Sequence, residues 1–130
     1  MVRAQVTYLD THVAIALYER ELAPYSPQAL AAIENDDDLR ISPMVLLELQ
    51  YLLEIKRIKA PASRIAAALE REIGLQICDS PFPDVARQAL AERWTRDPFD
   101  RIIVAQARLR TSVLITRDRE IRARYSQALA

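Results

Sequence analysis

Glycine is almost missing from this sequence: Gly74 is the only one among 130 residues. Phosphate-binding loops of the G-x-G-x-x-G and G-x-x-x-x-G-K-[ST] types need two or more glycines, whose backbones approach the phosphates closely. The sequence therefore argues strongly against a dinucleotide-binding or P-loop enzyme. Gly74 follows an alanine-rich helical segment, which predicts a helix C-cap at this position.

Cysteine and histidine are just as scarce, with one of each in the sequence. The single thiol, Cys78, excludes an internal disulfide and is typical of a reducing cytosol. It lies in an apolar run, which predicts a buried thiol. One histidine, His12, cannot support RNA cleavage by a pair of histidines, nor can it build the usual zinc site with one cysteine. A histidine beside a strand end is expected to pack or to hydrogen-bond.

Long apolar stretches are also missing. No segment is long enough to span a membrane, and residues 1–6 lack the layout of a signal peptide. We therefore expect a cytoplasmic protein without membrane contacts. A chain of 130 residues has the usual size of one domain, so a single domain over residues 1–130 is predicted.

The formal net charge is zero, but the two signs are separated along the chain. Residues 1–50 carry three arginines against eight acids, and residues 87–130 carry ten arginines against five acids, so their net charges are −5 and +5. A basic C-terminal third suits contact with phosphates, although solvated helix faces produce the same bias. Charge alone therefore leaves nucleic-acid binding open.

Short apolar segments alternate with helical patterns along the whole chain. Strands are predicted at residues 6–9, 39–41, 75–78 and 112–116. Helices are predicted at residues 11–18, 27–33, 43–57, 61–73, 83–93, 98–110 and 119–125. This alternation predicts an α/β fold, in which helices flank a central parallel sheet of about four to five strands.

Glu48 is the most informative side chain because it lies on the wrong side of its predicted helix. The helix begins at a Ser-Pro start signal and places Gln50, Glu54 and Arg57 on one solvent-facing stripe. Glu48 points roughly 150° away from that stripe. A carboxylate in such a place must be protonated, paired with a base or bound to a metal ion, because its desolvation is costly.

Four aspartates have a route to the same end of the sheet. In open α/β sheets, sites form beyond the carboxyl ends of the strands. Asp10 directly follows the first strand, Asp118 follows the fourth strand, and Asp97 and Asp100 open the helix before that fourth strand. Taken singly, Asp10, Asp97 and Asp118 are more typical of helix N-caps. Together with Glu48, however, the aspartates indicate a site.

Carboxylates gathered at one place cannot all stay ionised unaided. Two of them ~4 Å apart repel by roughly 4 kcal/mol at an effective dielectric of about 20, so either a cation neutralises them or some take up protons. Mg²⁺ and Mn²⁺ prefer such oxygen ligands. Ions held by carboxylates commonly activate water and clamp a phosphodiester, which makes phosphoryl transfer the hypothesis.

Four segments match a known pattern in order and in spacing. They are residues 8–12 (YLDTH), 42–49 (SPMVLLEL), 97–107 (DPFDRIIVAQA) and 114–118 (LITRD). Together they resemble the signature blocks of PIN-domain ribonucleases, in particular the VapC-like toxins of type II toxin–antitoxin pairs. The resemblance covers nearly the whole chain and implies a Rossmann-like PIN fold and a divalent-metal-dependent endoribonuclease.

The resemblance also implies roles for residues of these segments. Catalysis and the binding of Mg²⁺ or Mn²⁺ fall to an acidic quartet, Asp10, Glu48, Asp100 and Asp118. Asp97 is either an auxiliary ligand or only a helix cap. Thr11 and Thr116 are expected to orient the carboxylates or a metal-bound water. An RNA substrate, a cognate antitoxin protein and a homodimer are further implications.

Arginines near the matching segments are candidates for holding the phosphates that flank the cleaved bond: Arg101, Arg117 and Arg119. A solvated or helix-pairing arginine is an equally good interpretation of each, and Arg101 lies four residues after Asp97, where it can pair with that acid. Residues 94–96 depart from related toxins, which often carry histidine there.

Two other classes of protein remain open. A receiver-like signalling domain also collects acids and Mg²⁺ at strand ends, but it needs adjacent acids after its first strand and a lysine after a late strand. Here Asp10 has no acidic neighbour, and both lysines, Lys56 and Lys59, lie in the middle of the chain. A catalytically silent binding domain would use its acids as caps and surface charge, and it predicts neither stabilisation by a divalent cation nor RNA cleavage.

Overall fold

The computed structural model of the protein describes residues 5–130. Residues 1–4, which belong to the predicted single domain, lie outside the described residues. The strands are β1 (Thr7–Leu9), β2 (Leu39–Ile41), β3 (Gln76–Ile77), β4 (Val113–Ile115) and β5 (Ala128–Leu129). The helices are α1 (Thr11–Glu19), α2 (Pro27–Asn35), α3 (Pro43–Glu54), α4 (Ala62–Ile73), α5 (Phe82–Leu90), α6 (Pro98–Leu109) and α7 (Arg119–Arg124).

All five strands of residues 5–130 form one parallel sheet in the order β3-β2-β1-β4-β5. In the central strand, Thr7 pairs with Leu39 of β2 on one side and with Val113 of β4 on the other. The predicted α/β fold with a parallel sheet of four to five strands is confirmed. β5 is the strand for which no position was predicted, because Ala128 and Leu129 are not among the residue types enriched in strands.

The order of the strands creates a switch point at β1. From β1 the chain moves outward through β2 to β3, and it then returns to build β4 and β5 on the other side of β1. Neighbouring loops therefore leave the carboxyl ends of β1 and β4 in opposite directions, which opens a crevice between them. Asp10 and the loop 116–118 stand at this crevice.

Local signals account for most helix starts. Ser42 is the N-cap of α3, its hydroxyl accepts a hydrogen bond from Met44 N at 3.1 Å, and Pro43 occupies the first turn. α3 ends at Glu54 rather than at residue 57, because Lys56 takes a left-handed conformation with φ 64°. Arg57 is exposed as predicted, but it lies beyond the helix.

α5 ends at Leu90, three residues earlier than predicted. Just beyond it, Glu92 is 2% exposed and accepts hydrogen bonds from Arg108 Nε at 2.9 Å and from Trp94 Nε1 at 3.1 Å. This partly buried ion pair of Glu92 and Arg108 ties the segment after α5 to α6. The contact joins residues 16 positions apart, so no local pattern could have indicated it.

The hydrophobic core lies between the sheet and the helices that pack against it. Tyr8, Leu9, Leu114 and Ile115 are all at most 1% exposed. Cys78 is buried as predicted, and its Sγ lies 3.0 Å from Tyr8 Oη. Helices with the length and apolarity needed to cross a bilayer are absent from residues 5–130.

Gly74→Ala is expected to lower the free energy of unfolding by about 1 kcal/mol, because alanine is strained in the left-handed region. Gly74 ends α4 with φ 70°, as the C-cap prediction requires, and a Cβ added there would meet no atom within 4 Å. The cost is therefore one of backbone conformation alone. Urea denaturation measures it.

Gly74→Asn is the matched control, since asparagine tolerates the left-handed region better than alanine. The free energy of unfolding should fall less in Gly74→Asn than in Gly74→Ala. Equal losses in the two variants would contradict the conformational explanation.

Candidate active site

Asp10 stands at the carboxyl end of β1 and is 3% exposed. Its Oδ1 accepts a hydrogen bond from Thr11 N at 2.8 Å, and its Oδ2 accepts one from the Thr116 hydroxyl at 2.6 Å. Its own N–H donates to Ile115 O of β4 at 3.0 Å. Asp10 is thus the N-cap of α1, as the cap interpretation predicts, and it also joins β1 to β4.

Glu48 is half-buried on α3 and turns toward Thr11, the first residue of α1. Its Oε1 accepts a hydrogen bond from the Thr11 hydroxyl. No arginine within residues 5–130 forms an ion pair with it. Burial raises the pKa of Glu48, the hydrogen bond from Thr11 lowers it, and the charges of Asp10 and Asp97 raise it further. Of the sequence-based alternatives for Glu48, the structure favours a proton or a cation over an arginine.

Two threonines connect three members of the predicted quartet. Thr11 reaches both Asp10 and Glu48, through its N–H and its hydroxyl. The Thr116 hydroxyl donates to Asp10 and accepts a hydrogen bond from Asp118 N at 3.1 Å. Both threonines are almost fully buried. Buried hydroxyls that can donate to only one position hold the carboxylates in fixed orientations.

Asp97 and Asp118 both act as helix caps, as the cap interpretation predicts. Asp97 Oδ1 accepts hydrogen bonds from Phe99 N at 2.8 Å and Asp100 N at 3.3 Å, at the start of α6. Asp118 Oδ1 accepts from the N–H groups of residues 120 and 121 at 2.9 and 3.0 Å, at the start of α7. In each cap these hydrogen bonds use a single carboxylate oxygen.

Asp100 is the point at which the negative charges meet. Burial raises the pKa of its carboxyl, and the charges of Asp97, Asp10, Asp118 and Glu48 raise it further, to about 7. Four acids from four different segments of the chain therefore act on this one side chain. The tertiary structure thus brings the other four predicted acids within electrostatic range of Asp100.

The donor set fits a hard divalent cation, because it consists of oxygen atoms with an excess of negative charge. Within residues 5–130, neither arginine nor lysine forms an ion pair with any of the five acids. The same residues contain no group of three His, Cys, Asp or Glu side chains that is already arranged to hold a metal. Coordination by several carboxylates therefore requires some of these side chains to rotate toward one another.

Arg101 donates hydrogen bonds to the backbone at the end of α5. Its Nε and Nη2 donate to Ala89 O at 3.2 and 3.0 Å, and Nη2 also reaches Leu90 O at 3.4 Å. These bonds satisfy carbonyl groups at the end of α5 and hold that helix against α6. Phosphate binding by Arg101 stays a prediction, and its contacts favour a role in the fold.

Arg117 and Arg119 flank Asp118 and are both exposed. The Arg117 guanidinium lies 5.9 Å from the centroid of the Tyr25 ring, within the range of a cation–π contact. Tyr25 is 7% exposed, and burial raises its pKa, while the nearby charge of Arg117 lowers it and that of Asp10 raises it. Sequence reasoning missed Tyr25, because it lies in the loop between α1 and α2 and belongs to no motif.

A doubly wound α/β sheet with acidic side chains at its switch point defines the class of this protein. The family model described as PIN domain matches residues 7–126, and the chain belongs to that family. The predicted PIN fold is thereby confirmed. The chain is similar to ribonuclease VapC22 of Mycobacterium tuberculosis (strain ATCC 25618 / H37Rv), with 32% identity over 120 residues that cover 88% of each chain.

Solved structures share the fold at lower identity. VapBC2 from Rickettsia felis, bound to a promoter DNA fragment, has a TM-score of 0.61 and 18% identity, with 96% of both chains covered. A toxin–antitoxin complex from Klebsiella pneumoniae has a TM-score of 0.62 and 22% identity, with 95% of this chain and 96% of that chain covered. PAE2754 from Pyrobaculum aerophilum has a TM-score of 0.59 and 21% identity, with 97% of this chain and 83% of that chain covered.

Asp100→Asn is expected to stabilise the cation-free protein near pH 8 and to change little near pH 4. The folded protein raises the pKa of Asp100 from 3.8 to about 7, so it binds the proton more tightly than the unfolded chain does. Asp100 therefore lowers stability progressively between those two values, and the loss persists at higher pH. Because solvent screens a half-buried charge, we expect a gain of about 1–2 kcal/mol near pH 8.

Urea denaturation in EDTA at the two pH values measures this gain. Asp84→Asn is the control, because its carboxylate lies on the exposed side of α5. A gain of the same size at both pH values would contradict the explanation by a raised pKa of Asp100.

Proposed function

We propose that this PIN-domain protein is a divalent-metal-dependent endoribonuclease that acts as the toxin of a toxin–antitoxin pair. The observation that carries the proposal is the gathering of acids in which Asp10, Glu48 and Asp118 share contacts with two threonines. Burial and the neighbouring charges raise the pKa of Asp100 beside them to about 7. Charge repulsion of this kind destabilises the protein unless a cation relieves it. Membership of the PIN domain family and the likeness to ribonuclease VapC22 support the class of reaction.

Asp10, Glu48, Asp100 and Asp118 are the residues proposed to hold Mg²⁺ or Mn²⁺, with Asp97 beside them. Such an ion, when bound, activates water and stabilises the negative charge that develops on the phosphate oxygens. The choice of Mg²⁺ or Mn²⁺ follows from the all-oxygen donor set.

The threonines determine the directions in which these carboxylates point. Thr116 orients Asp10 through Oδ2, and Thr11 holds Glu48 and Asp10 at the same time. Since these donors are buried and already placed, Asp10 and Glu48 are held in fixed orientations before a cation enters. The arrangement thus prepares part of the binding geometry, and the remaining acids rotate toward it when a cation binds.

Arg117 and Arg119 are proposed to hold phosphates of the RNA on either side of the cleaved bond. Both lie next to Asp118 and carry exposed guanidinium groups, which form forked hydrogen bonds with phosphate. The surplus of arginine in residues 87–130 adds a general attraction for RNA. We leave Arg101 out of this set, because its donors contact the end of α5.

A cognate antitoxin protein is part of the proposal, because one solved structure of this fold is a toxin–antitoxin complex from Klebsiella pneumoniae. The family resemblance also leads us to propose a homodimer and a cytoplasmic location. The receiver-like alternative is set aside, since the chain belongs to the PIN domain family. A catalytically silent PIN domain remains the alternative, and the following experiments separate it from a nuclease.

The purified protein is expected to cleave RNA in the presence of Mn²⁺ and to lose that activity in excess EDTA. Asp10→Asn should lower the rate by about 100-fold or more, because it removes one negative charge from the acids proposed to hold the cation. Electrophoresis of end-labelled RNA measures the rate, and thermal unfolding verifies that each variant is folded. Cleavage that persists in EDTA would exclude the metal mechanism, and a lack of cleavage with Mn²⁺ would favour the silent domain.

Glu48→Gln is expected to keep the fold and to lose about 100-fold or more of the Mn²⁺-dependent cleavage rate. Burial raises the pKa of Glu48, so a neutral glutamine should not destabilise the protein near pH 8. Glu54→Gln is the matched control, since Glu54 lies on the exposed side of the same helix. Equal activities in the two variants would remove Glu48 from the site.

A further inference from the structure

His12 contacts two strand ends through the two nitrogens of its ring. Its Nε2 accepts a hydrogen bond from Arg117 N at 3.1 Å, in the loop after β4. Its Nδ1 lies 3.6 Å from Asp10 Oδ2, at the end of β1. The side chain is 45% exposed, so it is not simply part of the core. A single ring therefore spans the two sides of the switch point.

The acceptor role of Nε2 determines where the ring carries its proton. A neutral imidazole has one donor and one acceptor nitrogen, so the proton must be on Nδ1 when Nε2 accepts. The Nδ1–H then faces the carboxylate of Asp10. At 3.6 Å this is a favourable charge–dipole contact rather than a hydrogen bond.

Each residue of the loop 116–118 has a different anchor. The Thr116 hydroxyl donates to Asp10 Oδ2 at 2.6 Å. Arg117 N donates to His12. The Asp118 side chain caps α7. Among the side-chain hydrogen bonds of residues 5–130, only that of His12 joins the backbone of this loop to α1, the helix that begins after Asp10.

We propose that His12 is a positioning residue, whose Nε2 holds the loop 116–118 against the end of β1 and so sets the spacing of Asp10 and Asp118. These two carboxylates come from opposite sides of the switch point, and their spacing determines how well one cation can bind both. The inference rests on the proposed function in that both acids are taken as cation ligands. His12 acts through them and does not touch the reacting atoms.

The substitutions His12→Gln and His12→Asn distinguish the roles of the two ring nitrogens. The amide oxygen of glutamine can reach the place of Nε2, whereas that of asparagine reaches only the place of Nδ1. His12→Gln therefore keeps an acceptor for Arg117 N, and His12→Asn does not. His12→Ala removes both nitrogens and is the reference for complete loss of the His12 contacts.

Mn²⁺ affinity, measured by calorimetric titration of the whole protein without RNA, is the first readout. His12→Gln is expected to bind Mn²⁺ within about threefold of the original affinity, and His12→Asn and His12→Ala about 10- to 100-fold more weakly. Hydrogen exchange of the Arg117 amide should stay slow in His12→Gln and become faster in the other two. Because His12 is half-exposed, unfolding midpoints in EDTA should agree within about 5 °C.

RNA cleavage at increasing Mn²⁺ concentration is the second readout. For a positioning residue, His12→Asn and His12→Ala need more Mn²⁺ but recover kcat within about threefold at saturation. A general base would give the opposite result, with kcat lost in His12→Gln and His12→Ala alike at any Mn²⁺ concentration. That outcome would overturn the proposal, and so would equal Mn²⁺ affinities in all four proteins.

The two proposals fail in different ways. A protein that binds Mn²⁺ but does not cleave RNA contradicts the nuclease function, while the order of Mn²⁺ affinities among the His12 variants still decides the role of His12. A protein that cleaves RNA in an Mn²⁺-dependent way, with His12→Gln as impaired as His12→Ala, contradicts the role of His12 alone.

Discussion

The hydrogen bonds of Asp10 hold together the two sides of the sheet on which the candidate site is built. A buried carboxylate is costly unless donors surround it, and here the donors come from α1 and from the residue after β4. The backbone of Asp10 extends the pairing of β1 with β4 by one more bond, to Ile115 O. The contacts that stabilise the switch point are thus the same contacts that orient the central carboxylate of the site.

Capping and cation binding do not exclude each other in this protein. Asp97 and Asp118 cap helices through Oδ1, and each such cap is worth about 1 kcal/mol of stability. The same side chains add negative charge around Asp100, where burial and these charges together raise the pKa, so an ionised Asp100 costs free energy in the cation-free protein. The stability gained from the two caps offsets part of this cost. Acids that appear structural one by one can therefore form a functional group, a common compromise at active sites.

Local signals explain why much of the fold could be predicted. β2 follows directly from the apolar pattern of residues 39–41, α3 from Ser42 and Pro43, and the end of α4 from Gly74. β5 could not be predicted, because Ala128 and Leu129 do not favour a strand and form one through pairing with β4. The early end of α3 depends on the left-handed conformation of Lys56, a residue type that gives no such signal.

For the site, the sequence by itself determined the kinds of atoms and their rough placement. It placed carboxylates after strands and Glu48 away from the solvent stripe, because helical and strand periods are local properties. Tertiary structure alone decided the partners: Thr11 reaches Glu48 across 37 positions of the chain, and Thr116 reaches Asp10 across 106. It also directed Arg101 to the end of α5. Such contacts depend on how whole elements pack, and no local spacing encodes that packing.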